Sequence, residues 1–170
     1  MKPIKPTQFR ALLELLSQAG VEFVVVGGVA AVALGTARAT FDLDIVYRRT
    51  ADNLERLVPA LKPLNPYPRG APPGLPFIWD RRTVDFGINF TLDTSLGLID
   101  ILGEITGGGK FEDLLPHTLR LDVFGVSCLR IDLDTLIRVK RAAGRPKDFE
   151  AIAELETLRE EKERLQGGSG

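Results

Sequence analysis

Two aspartates stand one residue apart inside an otherwise apolar segment, "FDLDIVY", at residues 41–47. Alternate residues of a β-strand project to the same face, so a strand here places Asp42 and Asp44 side by side. The same alternation sends Phe41, Leu43 and Ile45 to the other face, into a core. Two adjacent carboxylates repel each other, and a divalent cation between them removes much of that cost. The pair predicts a metal platform or, in a purely structural interpretation, a solvated pair at a sheet edge.

A glycine pair precedes these aspartates. The run "VEFVVV" (21–26) is β-branched and apolar, which predicts a buried strand, and Gly27 and Gly28 then open a short helix that ends near Gly35. Glycines at a helix start allow close approach of a phosphate, and the free N–H groups there attract anions. The alternative is that the pair only makes a tight strand-to-helix turn.

A third carboxylate would complete a metal site. Asp100 interrupts the apolar strand predicted over "LGLIDILGEI" (96–105) and is the preferred candidate. Asp85, in a strand predicted over "TVDFGINF" (83–90), has more polar neighbours and ranks second.

The remaining pattern predicts the order α-β-α-β-α-loop-β-β-β-α-α. We therefore expect an α+β fold, with a mixed β-sheet flanked by helices and two helices at the C-terminal end. The proline-rich segment 65–77 is the one irregular insertion, and Trp79 beside it is expected to be a packing anchor. Residues 1–166 are interpreted as one domain and 167–170 as a flexible tail. In the last helix, Phe149, Ile152, Leu155 and Leu158 form a predicted apolar stripe.

Composition limits the site chemistry. The 170-residue chain has one histidine and one cysteine, which excludes a histidine-rich or cysteine-only metal site and leaves oxygen ligands for Mg²⁺ or Mn²⁺. A net charge of −1 argues against overall electrostatic binding of nucleic acid, although residues 138–147 are locally basic. The absence of a long apolar run predicts a cytoplasmic protein with no membrane partner.

The stretch "VEFVVVGGVAAVALGTARATFDLDIV" resembles the minimal nucleotidyltransferases of the DNA polymerase β-type superfamily. A glycine pair and then G-x-x-R-x-T-x-D-h-D-h, with h apolar, recur in that group; here the string falls on Gly35, Arg38, Thr40, Asp42 and Asp44. The blocks "LGLIDILGEITGGG" and "LIRVKRAAGRPKDFEAIAELE" are similar to later blocks of small nucleotidyltransferases, which include toxins of abortive-infection toxin–antitoxin systems. Leu34 stands where many such proteins carry a histidine.

The resemblance implies a role for each matching residue. Gly27 and Gly28 would hold the triphosphate of an NTP, and Asp42, Asp44 and Asp100 would bind two magnesium ions, with Asp100 as a base for the acceptor hydroxyl. Arg38 and Thr40 would contact the nucleotide, and Lys140 would reach its phosphates. Arg145 and Asp148 are weaker candidates, and Asp148 is equally interpreted as a helix-start acid or an ion-pair partner.

Three functions follow from these observations. The first is transfer of a nucleoside monophosphate from an NTP to a hydroxyl of RNA (a tRNA-like 3′ end), a protein or a small molecule, with an antitoxin as a further partner. The second is a catalytically weak or inactive protein that binds a nucleotide or a partner. The third, a metal-dependent phosphohydrolase, is disfavoured because such enzymes usually recruit histidines.

Overall fold

The computed structural model describes residues 5–37 and 39–168. Within them the helices are α1 (Phe9–Gln18), α2 (Gly27–Leu34), α3 (Ala51–Leu61), α4 (Arg81–Phe86), α5 (Phe111–Leu114), α6 (Leu133–Ala143) and α7 (Pro146–Gly167). The strands are β1 (Phe23–Val26), β2 (Asp42–Tyr47), β3 (Tyr67–Pro68), β4 (Asn89–Thr94), β5 (Gly97–Leu102), β6 (Glu104–Ile105), β7 (Gly109–Lys110), β8 (Thr118–Val123) and β9 (Val126–Ile131). None of these helices is both long and apolar enough to cross a membrane.

Seven strands form one mixed sheet in the order β3-β4-β5-β2-β1-β9-β8, and β6 pairs only with β7. Strand β2 lies between β1, to which it is antiparallel, and β5, to which it is parallel. The predicted α+β class, with a mixed sheet, flanking helices and two C-terminal helices, is confirmed.

The segment from β1 to β2 follows the sequence pattern closely. All four residues of β1 are buried, α2 starts at Gly27, and Gly35 ends it in the left-handed conformation, with φ of 112°. In β2 the side chains alternate, so Leu43 and Ile45 are fully buried while Asp42 and Asp44 face the other side of the sheet. Phe41 was expected in the core but is exposed, because it precedes β2 and does not share its alternation.

The strand predicted over residues 83–90 is wrong. A carboxylate oxygen of Asp80 accepts a hydrogen bond from the Thr83 amide at 2.8 Å and so caps helix α4, which runs to Phe86. Asp85 therefore lies on a helix, and β4 begins only at Asn89.

Helix α7 corrects one further expectation. Pro146 opens it, and Ile152 and Leu155 are buried as predicted, but Phe149 is exposed and takes no part in the stripe. The helix includes Gly167, and residues 169–170 of the predicted tail lie outside the described part of the chain.

Candidate metal and nucleotide site

Three carboxylates meet on one face of the sheet. Asp44 on β2 is the direct neighbour of Asp100 on the parallel strand β5, and Asp42 lies two residues earlier on β2. One oxygen from each of the three carboxylates lies within 4.8 Å of the other two. The structure thus brings Asp100 to the aspartate pair and leaves Asp85 on α4.

Asp44 is the most buried member of this triad. Burial, together with the neighbouring charges of Asp42 and Asp100, raises the pKa of Asp44 to about 8. Burial also raises the pKa of Asp100. The Oδ1 atom of Asp44 has no hydrogen-bond partner among the described residues. Without a cation, the triad therefore keeps a proton near neutral pH and contains an unsatisfied buried oxygen.

Arg69 is a site residue that sequence reasoning missed. Its Nη2 lies 2.7 Å from Asp100 Oδ1 and its Nη1 lies 3.4 Å from Asp42 Oδ2, so the guanidinium bridges two members of the triad. It immediately follows β3, and its amide donates to the Thr91 carbonyl of β4 at 3.0 Å. The proline-rich segment thus brings a positive charge to the triad, and the only sequence signal for it was one arginine in an aperiodic loop.

The glycine pair packs directly against the strand that carries the aspartates. A Cβ at Gly27 would lie 2.1 Å from Asp44 Oδ2, and a Cβ at Gly28 would lie 2.6 Å from Thr40 Oγ1. Gly27 also has a φ of 66°, a conformation that side chains disfavour. Both glycines are needed for close packing at the start of α2, while the predicted phosphate contact remains a prediction.

The nucleotide contacts expected of Thr40 and Arg38 stay predictions. The Thr40 hydroxyl donates to the Asp42 carbonyl at 3.2 Å and faces the same cavity as the triad. Arg38 lies outside the described residues.

Lys140 reaches the site from α6 and is largely buried. Its Nζ lies 3.8 Å from Asp148 Oδ1, and the other oxygen of Asp148 accepts from Arg145 Nε at 2.9 Å. Burial lowers the pKa of Lys140, and the positive charge of Arg145 lowers it further. The interpretation of Asp148 as an ion-pair partner is confirmed, and the pair connects α6 to the first turn of α7.

A cavity of about 380 Å³ joins these groups. Its lining includes the triad, Gly27 and Gly28, and the charged side chains Lys140, Arg145, Lys147 and Asp148. A second cavity of about 270 Å³ shares Gly27, Asp44, Lys140 and Arg145 with the first and is also lined by aliphatic side chains from α6, β5 and β6. An anion between the lysines and the helix start would lie beside oxygens suited to a hard cation.

Trp79 and His117 lie outside both cavities. Trp79 is buried and donates to the Val58 carbonyl at 3.0 Å, which confirms its expected packing role. His117 is partly exposed beside Asp132. Neither residue adds to the chemistry of the site.

Comparison with known proteins finds no matching family model and no matching curated protein.

Proposed function

We propose that this protein is a metal-dependent nucleotidyltransferase with the fold of the DNA polymerase β-type superfamily. One observation carries the proposal: oxygens of Asp42, Asp44 and Asp100 lie within 4.8 Å of one another, in a cavity that Lys140, Arg145 and Lys147 also line. Such a cavity would accommodate a triphosphate and its metal ion together.

The donor set fits magnesium or manganese. Asp42, Asp44 and Asp100 would hold the metal, and the unpaired Oδ1 of Asp44 is a ready ligand. Bound there, the ion would neutralise the phosphates and polarise the α-phosphorus of an NTP.

Groups of the protein itself would bind the phosphates and accept the proton. The N–H groups at the start of α2 would contact the triphosphate together with Lys140 and Lys147. Asp100 would accept the proton of the acceptor hydroxyl as its oxygen bonds to the α-phosphorus. The bond from that phosphorus to the bridging oxygen breaks, and pyrophosphate leaves.

RNA is the preferred acceptor in this proposal. Helix α6 presents Arg138 and Arg141 at its surface, close to Lys140 of the cavity, and Lys/Arg contacts to phosphates give affinity without sequence readout. A tRNA-like 3′ end fits a toxin-like role with an antitoxin partner. A protein hydroxyl is the other acceptor to test.

The experiment is a transfer assay. Purified protein is incubated with Mg²⁺, each α-labelled NTP in turn, and either total RNA or cell lysate. We expect label on RNA with the native chain and none with Asp44→Asn. Asp52→Asn, which changes an exposed aspartate on α3, is the matched control and should transfer label normally. Label on protein instead of RNA would mean that the acceptor is a protein hydroxyl. Equal transfer by Asp44→Asn and the native chain would contradict the proposed metal site.

A second function, a nucleotide-binding protein without catalysis, is favoured by the contacts of Arg69. Its single positive charge lies beside two of the three carboxylates and offsets part of their negative charge, so it reduces the need for a metal ion. Nucleotide binding that does not depend on Mg²⁺, with no transfer from any NTP, would support this function over the first.

A further inference from the structure

The two edges of the seven-stranded sheet differ in their ability to pair with a further strand. At one edge, β3 has only two residues, and Pro68 has no N–H to offer a further strand. At the other edge, β8 has six residues and no proline, and pairs with β9 on one side only. A long, regular edge strand of this kind can accept another strand.

The hairpin turn determines which groups of β8 face outward. Phe124 and Gly125 form a two-residue turn in which both φ values are positive, 48° and 83°, as in a type I′ hairpin. The flanking pair, Val123 and Val126, is then hydrogen-bonded, so the odd-numbered residues of β8 bond to β9. The N–H and C=O groups of Thr118, Arg120 and Asp122 therefore point away from the sheet.

Most side chains of β8 are exposed to solvent. On one face, Leu119 and Leu121 are 50% and 41% exposed, and Phe124 in the adjoining turn is 43% exposed. On the other face, Arg120 and Asp122 are exposed, and neither forms an ion pair with another described residue. The carboxylate of Asp122 is held in place by the Gly125 amide at 3.0 Å.

We propose that β8 pairs antiparallel with β8 of a second copy of this chain, about a two-fold axis through Leu121. Arg120 of each copy then lies opposite Asp122 of the other, which gives two ion pairs and four backbone hydrogen bonds. Leu121 faces its own equivalent, and Leu119 faces Val123 of the second copy. Opposite charges and apolar pairs directly across two strands stabilise a sheet.

The charges of Arg120 and Asp122 favour this register over the neighbouring registers. A ladder needs the outward-facing, even-numbered residues to lie opposite one another. An axis through residue 120 places the two Arg120 side chains together, and an axis through 122 does the same for Asp122. Only the axis through Leu121 pairs opposite charges, so the strand is complementary to itself and a second copy is the occupant that fits.

The test is the oligomeric state by sedimentation over a concentration series from about 1 to 200 μM, a range that brackets micromolar dissociation constants. We expect a concentration-dependent dimer for the native chain. R120D and D122R each place like charges opposite one another and should raise the dissociation constant roughly tenfold or more. Arg82→Asp, a charge change on exposed helix α4, is the control and should leave the dimer intact.

Mixing the two variants gives the decisive result. In a pair formed by one R120D chain and one D122R chain, every acidic side chain at these positions faces a basic one. We therefore expect the equimolar mixture to dimerise more tightly than either variant alone, with circular dichroism showing that both are folded. A native chain that stays monomeric, a dimer unaffected by R120D, or folded variants that fail to associate when mixed would each overturn the proposal.

Discussion

Asp44 combines burial, two like-charged neighbours and an unpaired oxygen, so the metal-free site should reduce stability at neutral pH. Its pKa of about 8 lies above the value of 3.8 for an exposed aspartate, so between these pH values the folded chain binds more protons than the unfolded chain. The free energy of unfolding should therefore fall as pH rises from about 4 to 8.

Asp44→Asn removes this titration while keeping the shape of the side chain. Without metal at pH 8, we expect the variant to be more stable than the native chain by about 1–3 kcal/mol, with a smaller difference at pH 5. Urea unfolding at the two pH values measures it. Addition of Mg²⁺ should stabilise the native chain and not the variant; an equal response of both would argue against a metal ion at Asp44.

Arg69 provides a second test at the residue scale, because its positive charge lies where a cation is expected to bind. Arg69→Met removes that charge, and we expect Mn²⁺ affinity to rise roughly tenfold as a consequence. Electron paramagnetic resonance of free Mn²⁺ measures the affinity, and Arg82→Met serves as the control. Weaker Mn²⁺ binding by Arg69→Met would mean that Arg69 holds the carboxylates in their binding positions.

At the scale of the elements, the ion pair between Lys140 and Asp148 joins α6 to α7. Both side chains are largely buried, with 14% and 5% of their surface exposed. Asp148→Ala leaves Lys140 without its buried partner and should lower the free energy of unfolding by about 3 kcal/mol. The double variant Lys140→Met/Asp148→Leu should recover much of this loss, because neither charge is then buried alone. The single variants Lys140→Met and Asp148→Leu complete the comparison, and if their effects add up to that of the double variant, the two groups do not interact.

The elements that could be predicted from sequence are those with a clear pattern of apolar residues. The apolar run of β1 and the alternation in β2 gave the correct strands, and the same alternation placed Asp42 and Asp44 on one face. Asp100 was preferred to Asp85 because its predicted strand is more apolar, and the pairing of β5 with β2 brings it to the others. The alternation of a strand determines which face of the sheet each side chain occupies. That information was sufficient to predict the three carboxylates of the triad.

What could not be predicted depends on contacts between distant residues. Asp80 caps α4 and so overrides the strand-like pattern of residues 83–90. Arg69 reaches the triad only because β3 adds to the far side of β4, and a two-residue strand among prolines has no period. The packing of Gly27 against Asp44 likewise requires knowledge of how α2 lies on β2.

At the scale of the whole molecule, the candidate site collects residues from Gly27 to Asp148. The triad lies on β2 and β5, the cationic side chains lie on α6, on α7 and at Arg145 between them, and the cavity closes only when these parts are assembled. A ligand that binds there contacts both halves of the chain, so its binding energy should oppose unfolding of the entire structure rather than of one segment.

Mg²⁺ and an NTP together should therefore raise the melting temperature in one cooperative transition. At an NTP concentration about 100 times its dissociation constant, the gain is about 2.7 kcal/mol, which corresponds to roughly 5–10 °C for a chain of this size. Calorimetry measures the shift, with Asp42→Asn expected to abolish it and Asp52→Asn to preserve it. If ligand stabilised only part of the chain, the transition would split into two, because the cations of α6 and α7 and the carboxylates of the sheet would then unfold independently.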